Sequence, residues 1–234
     1  MFSSSLIPSI EMRLNSLIEI NRRKATEKAM KESQKNARPT ITISREFGCE
    51  AYPVSERIKE LMETKTGESW LVMDKALLEE VAHHHSVSEN LLEQMGEKAR
   101  FLEEIIGTFA PHWKTEKDLY RLICRHILAL ASAGNVIIVG RGGAYVTQAL
   151  ENCHHFRMYA SQEFKVRSIS RRLEISREEA EKLIEQKQKQ RDKLIRDFLN
   201  RDAADLSVYD LVFNNDRNST EKIAQTMMEY VTHN

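Results

Sequence analysis

The 234-residue chain is short of several things at once. It has 8 glycines, 4 prolines, 3 cysteines and 7% aromatic residues, and its 35 basic side chains are balanced by 35 acidic ones. Zero net charge argues against a protein that grips nucleic acid, whose balance should be clearly positive. It equally argues against a disordered tail of one charge. No run of about 18 apolar residues exists, so no membrane-crossing helix is expected. Pro8, Glu11, Arg13 and Asn15 interrupt the first apolar stretch, so a secretory signal is not expected. Cys49, Cys124 and Cys153 are odd in number and widely spaced. They suit reduced thiols in a cytoplasm better than a disulfide framework or a structural metal site.

What is present is enough for a core, at 41% hydrophobic residues, and a length that makes one large domain or two small ones. Charge and glycine are unevenly placed. All the glycines lie between Gly48 and Gly143, and residues 165–201 carry 12 basic against 7 acidic side chains. A local basic cluster can hold phosphate within a neutral chain, although a solvated charged helix reads the same way.

Strands and helices alternate. Ile10, Leu14, Leu17 and Ile18 mark an amphipathic helix over about 9–35, ended by Pro39. Short buried strands are expected at 41–43, 70–73, 136–139, 156–160 and 209–213. Val136-Ile137-Ile138-Val139 is apolar without alternation, the pattern of a strand covered on both faces. Helices are expected at 54–64, in pieces through 75–133, and at 144–150, 162–173, 176–200 and 219–231. Ser176 with Glu179 forms a capping-box pattern. Such an alternation predicts an α/β fold on a five-stranded parallel sheet.

In an open α/β sheet ligands bind beyond the carboxyl ends of the strands. The first such place is Ser44-Arg45-Glu46-Phe47-Gly48-Cys49, running on to Pro53. It has the strand–loop–helix setting of a phosphate loop but not the G-x-x-x-x-G-K-[ST] pattern, since one glycine stands alone and Glu50 adds a negative charge. The second is Asp74-Lys75. The third is Gly140-Arg141-Gly142-Gly143, where glycines let a ligand approach and an arginine could grip phosphate in a bidentate manner. The fourth is the basic stretch Arg167, Arg171, Arg172, then Arg191, Asp192, Arg196 and Arg201. Converging arginines suit phosphoryl transfer. His83-His84-His85 cannot all face one site on a helix. His154-His155 is read as capping a strand, and Trp113 and Tyr120 as helix core.

The ordered set ITISREFG (41–48), Asp74-Lys75, IIVGRGGAY (137–145), Arg191-Asp192 and YDLVFNND (209–216) resembles the cytidylate kinase-like family of P-loop nucleoside monophosphate kinases. The resemblance covers roughly 40–232. It implies a kinase-type sheet with a helical insert at about 75–133 and an arginine-rich lid at about 162–202, preceded by an extension over 1–38. It implies ATP with Mg²⁺ as phosphoryl donor and a nucleotide such as CMP as acceptor. Ser44 to Val54 would form the donor loop. Asp74 and Lys75 would begin the acceptor segment, and Arg141 with Gly142 and Gly143 would hold the acceptor phosphate. Arg167, Arg171, Arg191, Asp192 and Arg196 would serve the transfer. Two positions depart from the family pattern. Gly48-Cys49-Glu50-Ala51-Tyr52 replaces a glycine-rich loop, and Ile195 stands where a lid arginine is usual. Arg45 is then the nearest cation to replace the absent loop lysine. Two functions follow: an ATP-dependent nucleotide kinase, placed first because Arg141 and the lid arginines are kept, or a degenerate kinase fold that binds nucleotide or a protein partner without efficient transfer. Neither nucleic acid nor membrane is expected as a partner, and the N-terminal helix could pair two copies into a homodimer.

Overall fold

The computed structural model describes residues 38–83 and 116–233, together with residue 16. The expected N-terminal helix, the homodimer through it, His84, His85, Trp113 and the middle of the insert lie outside the described residues.

Five strands form one parallel sheet: β1 (Thr40–Arg45), β2 (Leu71–Met73), β3 (Val136–Val139), β4 (Cys153–Tyr159) and β5 (Leu211–Asn214). Their order is β2-β3-β1-β4-β5. Among the described residues seven helices accompany them: α1 (Ala51–Thr66), α2 (Lys75–His83), α3 (Glu116–Ala133), α4 (Gly143–Thr147), α5 (Gln162–Leu173), α6 (Arg177–Leu199) and α7 (Thr220–His233). Successive side chains of a strand face opposite ways, and both faces here are covered. Ile41, Ile43, Ile137, Val139, Phe156 and Met158 pack with Val54, Ile58 and Met62 of α1 and with Ile223 and Met227 of α7. Val136, Ile138, Leu71 and Met73 pack on the other face with Leu77, Leu78 and Val81 of α2 and Ile123, Ile127 and Leu130 of α3. That is why the central strands are apolar without alternation.

Buried polar side chains of the sheet find partners on the helix beside it and across the strands. Thr40 Oγ1 donates to Ala131 O at 2.8 Å. Thr42 Oγ1 and His155 Nδ1 lie 2.8 Å apart. β4 begins at Cys153, three residues before the expected start, so His154 and His155 sit inside it rather than capping it; Thr42 supplies the polar partner for the buried His155.

α5 and α6 form a hairpin with its own small core of Val166, Ile169, Ala180 and Ile184, against which Phe47 packs. Both helices are capped as a short hairpin needs. Ser161 accepts from Phe164 N at the start of α5, and Ser176 and Glu179 complete a capping box at α6. The chain reverses direction across the sheet at β1, because β2 and β3 lie on one side and β4 on the other. A crevice at the carboxyl ends of β1, β3 and β4 is the position such a switch point dictates.

Candidate functional site

A cavity of about 120 Å³ opens there. Its walls come from the ends of four strands and from α6. Ser44 and Arg45 end β1, Lys75 follows β2, Gly140, Arg141 and Gly142 follow β3, and Arg157 projects from β4. Gln188, Arg191, Asp192, Leu194 and Ile195 of α6 close the opposite side, with Tyr145, Ala203 and Tyr209. Five basic side chains therefore meet one acidic one, Asp192.

The turn after β3 is built for an unusual path. Gly140, Arg141 and Gly142 have φ of 82°, 53° and 72°, three successive residues in the left-handed region. Glycine adopts it freely, whereas Arg141 costs about 1 kcal/mol there. Such strain persists where surrounding structure over-determines it. Here Tyr120 Oη donates to Arg141 O at 2.9 Å and Gly143 N donates to Gly140 O at 3.0 Å. The Arg141 side chain, 14% exposed, pairs with Glu79 of α2. Gly140 lacks a side chain for a visible reason: a Cβ would overlap Arg45 Nη1.

The cations of this cavity feel one another. Burial lowers Arg45 to about 10, with Asp74 opposing and the Arg141 charge reinforcing that fall. Burial lowers Arg191 to about 9, and the charges of Arg45 and Arg141 lower it further. Lys75 falls by desolvation and by the charges of Arg141, Lys187 and Arg191. Arg141 falls by desolvation. Arg45 and Arg191 remain cationic near neutral pH, and beside Arg141, which Glu79 balances, they form a desolvated positive cluster that an anion would relieve. Arg191 is fixed in place: its Nη1 donates to Arg45 O at 3.0 Å, and its guanidinium lies 5.0 Å from the Phe47 ring centre.

The loop after β1 is differently arranged. Glu46 N donates to Met158 O, Phe47 N to Gln188 Oε1 at 2.8 Å, Cys49 N to Glu46 O, and Glu50 N to Asn215 Oδ1 at 2.9 Å. Those amides face protein acceptors. Lys165 of α5 lies across the loop, its Nζ 2.9 Å from Glu46 Oε2, and a Cβ on Gly48 would come within 2.6 Å of Lys165 Cβ. Glu50 turns towards α5, accepting from Arg171 at 2.9 Å and from Ser168 at 3.3 Å. Burial and the Glu46 charge push the Cys49 thiol up to about 12.

The expected site residues therefore divide. Ser44, Arg45, Lys75, Arg141, Gly142, Arg191 and Asp192 line the cavity. Asp74 stands beside it, accepting from Leu77 N at 3.0 Å to start α2. Gly143 packs on Ile138 and Thr42 beneath it. Glu46, Phe47, Gly48 and Cys49 sit behind it, under the α5–α6 hairpin. Arg167, Arg171 and Arg196 do not come to it. Arg167 lies against Phe164, Arg171 reaches Glu50, and Arg196 is exposed beside Asp197. Arg167 and Arg171 are engaged by partners, Phe164 and Glu50, that spacing along the sequence did not reveal. Tyr145, Arg157, Gln188 and Tyr209 line the cavity without having been singled out. Only Arg157 carried a signal, as a lone charge within the apolar strand FRMYA.

The cytidylate kinase-like family matches residues 40–217, from the first residue of β1 to just past β5. This chain belongs to that family. No curated protein matches it. Among solved structures, an uncharacterized protein from Eubacterium ventriosum superimposes with a TM-score of 0.66 at 19% identity, over 84% of this chain and 99% of that one. That likeness is one of fold. TT1252 from Thermus thermophilus aligns over 85% of this chain and 98% of its own at 15% identity, with a TM-score of 0.38. Among the described residues no helix is long and apolar enough to cross a membrane.

A family donor would bring a triphosphate to the loop after β1. The loop does not fit it: four amides that would cradle phosphate are committed to Met158, Gln188, Glu46 and Asn215, Lys165 covers Gly48, and two carboxylates flank the turn. Among the described residues no group of three or more His, Cys, Asp or Glu side chains could hold a metal ion. The cavity in front of Arg45 and Arg141 is lined by five cations and one carboxylate, a charge balance that suits an anion.

Proposed function

We propose that the protein binds a nucleoside monophosphate by its phosphate in the cationic cavity, and that it carries out little or no phosphoryl transfer from ATP. One observation carries the reading: the cations of the cavity are gathered and desolvated, while four amides of the donor loop, those of Glu46, Phe47, Cys49 and Glu50, are spent on the protein itself. Arg141, Arg45 and Arg191 receive the phosphate oxygens, each through planar N–H donors suited to a tetrahedral oxyanion. Binding relieves the repulsion of Arg45 with Arg191 and Arg141, which folding has already brought together and dehydrated, and requires Arg141 to share its guanidinium between Glu79 and the phosphate. CMP is the ligand to try first, because the family resemblance names it.

A second reading keeps the kinase. Arg45 stands at the start of the donor loop and Arg191 donates to its carbonyl, a position from which a cation would serve a transferring phosphoryl group. It requires the loop to release Lys165, Gln188 and Asn215 before ATP, the phosphoryl source, can enter with Mg²⁺. A coupled assay with ATP, Mg²⁺ and each nucleoside monophosphate, run beside calorimetry with the same ligands, separates the two. Monophosphate binding without turnover is the expected result. Turnover with any acceptor refutes the proposal in favour of the kinase.

A further inference from the structure

The cations of the cavity fall into two groups. Arg45, Arg141, Arg191 and Lys75 act on one another electrostatically. Arg157 stands apart on β4, where it pairs in register with Ser44 of β1. Its charge acts on Tyr145. Its guanidinium carbon lies 5.6 Å from the Tyr209 ring centre, and Nη1 approaches Tyr209 Oη at 3.5 Å. Tyr209 is in turn edge-on to Tyr145 at 6.3 Å, and Tyr145 Oη donates to Asp202 O at 2.9 Å. The arginine is therefore held by aromatic rings rather than by a carboxylate. Among the described residues no acidic side chain pairs with it.

A half-buried arginine that faces a cavity without a counter-ion keeps its capacity to bind an anion. β4 and β3 lie on either side of β1, so the backbones carrying Arg157 and Arg141 are separated by two strand spacings, about 10 Å. Phosphates of a diphosphate share one bridging oxygen and sit side by side, so they match one group of cations. Two phosphates on different positions of a ribose are set apart.

We propose that Arg157, seated on Tyr209, is a second anion subsite, and that the preferred ligand is a nucleotide carrying two separated phosphate groups, one held by Arg141 and its neighbours and the other by Arg157. The proposal rests on the monophosphate-binding reading above and names the ligand class of that same cavity.

Titration calorimetry of the full chain with CMP, CDP and cytidine 3′,5′-bisphosphate tests it. The bisphosphate should bind about tenfold or more tighter than CMP, as expected of one added charge-assisted contact, and tighter than CDP. In Arg157→Gln the advantage of bisphosphate over CMP should collapse towards one, and Arg157→Lys should restore part of it, while far-ultraviolet circular dichroism confirms the fold of both. CMP binding with no gain for the bisphosphate overturns the subsite and leaves the monophosphate reading standing. CDP binding as tightly as the bisphosphate overturns it too, as does an advantage that survives Arg157→Gln. Binding of none of the three ligands overturns both the subsite and the reading beneath it.

Discussion

Replacing Gly140 by alanine would separate the site from the scaffold. Gly140 has φ +82°, so an L side chain there costs about 1–2 kcal/mol of backbone strain. The added Cβ would also overlap Arg45 Nη1, with Arg45 Cζ at 3.0 Å. That obstacle is the far end of a flexible side chain, so Arg45 can swing away while β1 and β3 stay paired. Stability should fall by the strain alone, about 1–2 kcal/mol. Phosphate affinity should fall further, because a displaced guanidinium loses a charged hydrogen bond of about 1.5–3 kcal/mol, on the order of ten- to a hundredfold in Kd. Gly134→Ala is the contrast. Its φ is +74°, and the obstacle is the Arg38 backbone, with the carbonyl carbon at 2.7 Å. Backbone cannot rotate aside, so Gly134→Ala should destabilise more and leave the cavity's cations in place. Urea unfolding and CMP calorimetry on both variants give the four numbers. The reasoning is refuted if Gly140→Ala keeps wild-type affinity, or if it destabilises as much as Gly134→Ala.

Further outcomes concern the loop and the core. Gln188→Ala removes the acceptor of the Phe47 amide; it should cost about 1–2 kcal/mol and speed hydrogen exchange at Phe47, and unchanged protection there would count against the closed loop. Burial holds His126 at about 4, with Arg125 reinforcing the shift, against 6.5 when unfolded. Between those values the unfolded chain binds the extra proton, so stability should fall by up to about 3 kcal/mol as pH drops from about 6.5 towards 4. His154 and His155 are also lowered by burial and act with the same sign. A His126→Gln variant should show a shallower loss in acid unfolding, and an equally steep one contradicts the assignment. With Cys49 raised to about 12 and Cys153 to about 11 by burial, both thiols should react slowly with a disulfide reagent at pH 8 until the chain is denatured; rapid labelling of the folded chain would oppose this.

Much of the scaffold was legible because period and burial are local signals. Val136–Val139 was read to the residue, and the helix at 162–173 likewise. Strand ends moved where polar residues take part: Thr40 and Arg45 extend β1 beyond its apolar centre, and Cys153 and His154 extend β4. The cavity was half legible. Arg45, Lys75 and Arg141 follow strands, and strand ends point where the sheet directs them. The lid arginines were not, since a helix carries charge on every exposed face and spacing alone cannot say which face turns inward. Arg191 faces the cavity and Arg196, five residues on, does not. The fate of the donor loop was the least legible of all. Glu50 could be seen as a misfit, but Lys165 closing over Gly48 depends on how the α5–α6 hairpin docks, across more than a hundred residues of chain.

The central claim is that a phosphate-binding cavity persists in front of a closed donor loop. Its most direct measurement is the titration of CMP into the wild-type chain and into Arg141→Ala at neutral pH in low salt. The account predicts one site per chain, weakened on the order of tenfold or more when the Arg141 guanidinium is removed. Equal affinity in the two proteins would contradict it.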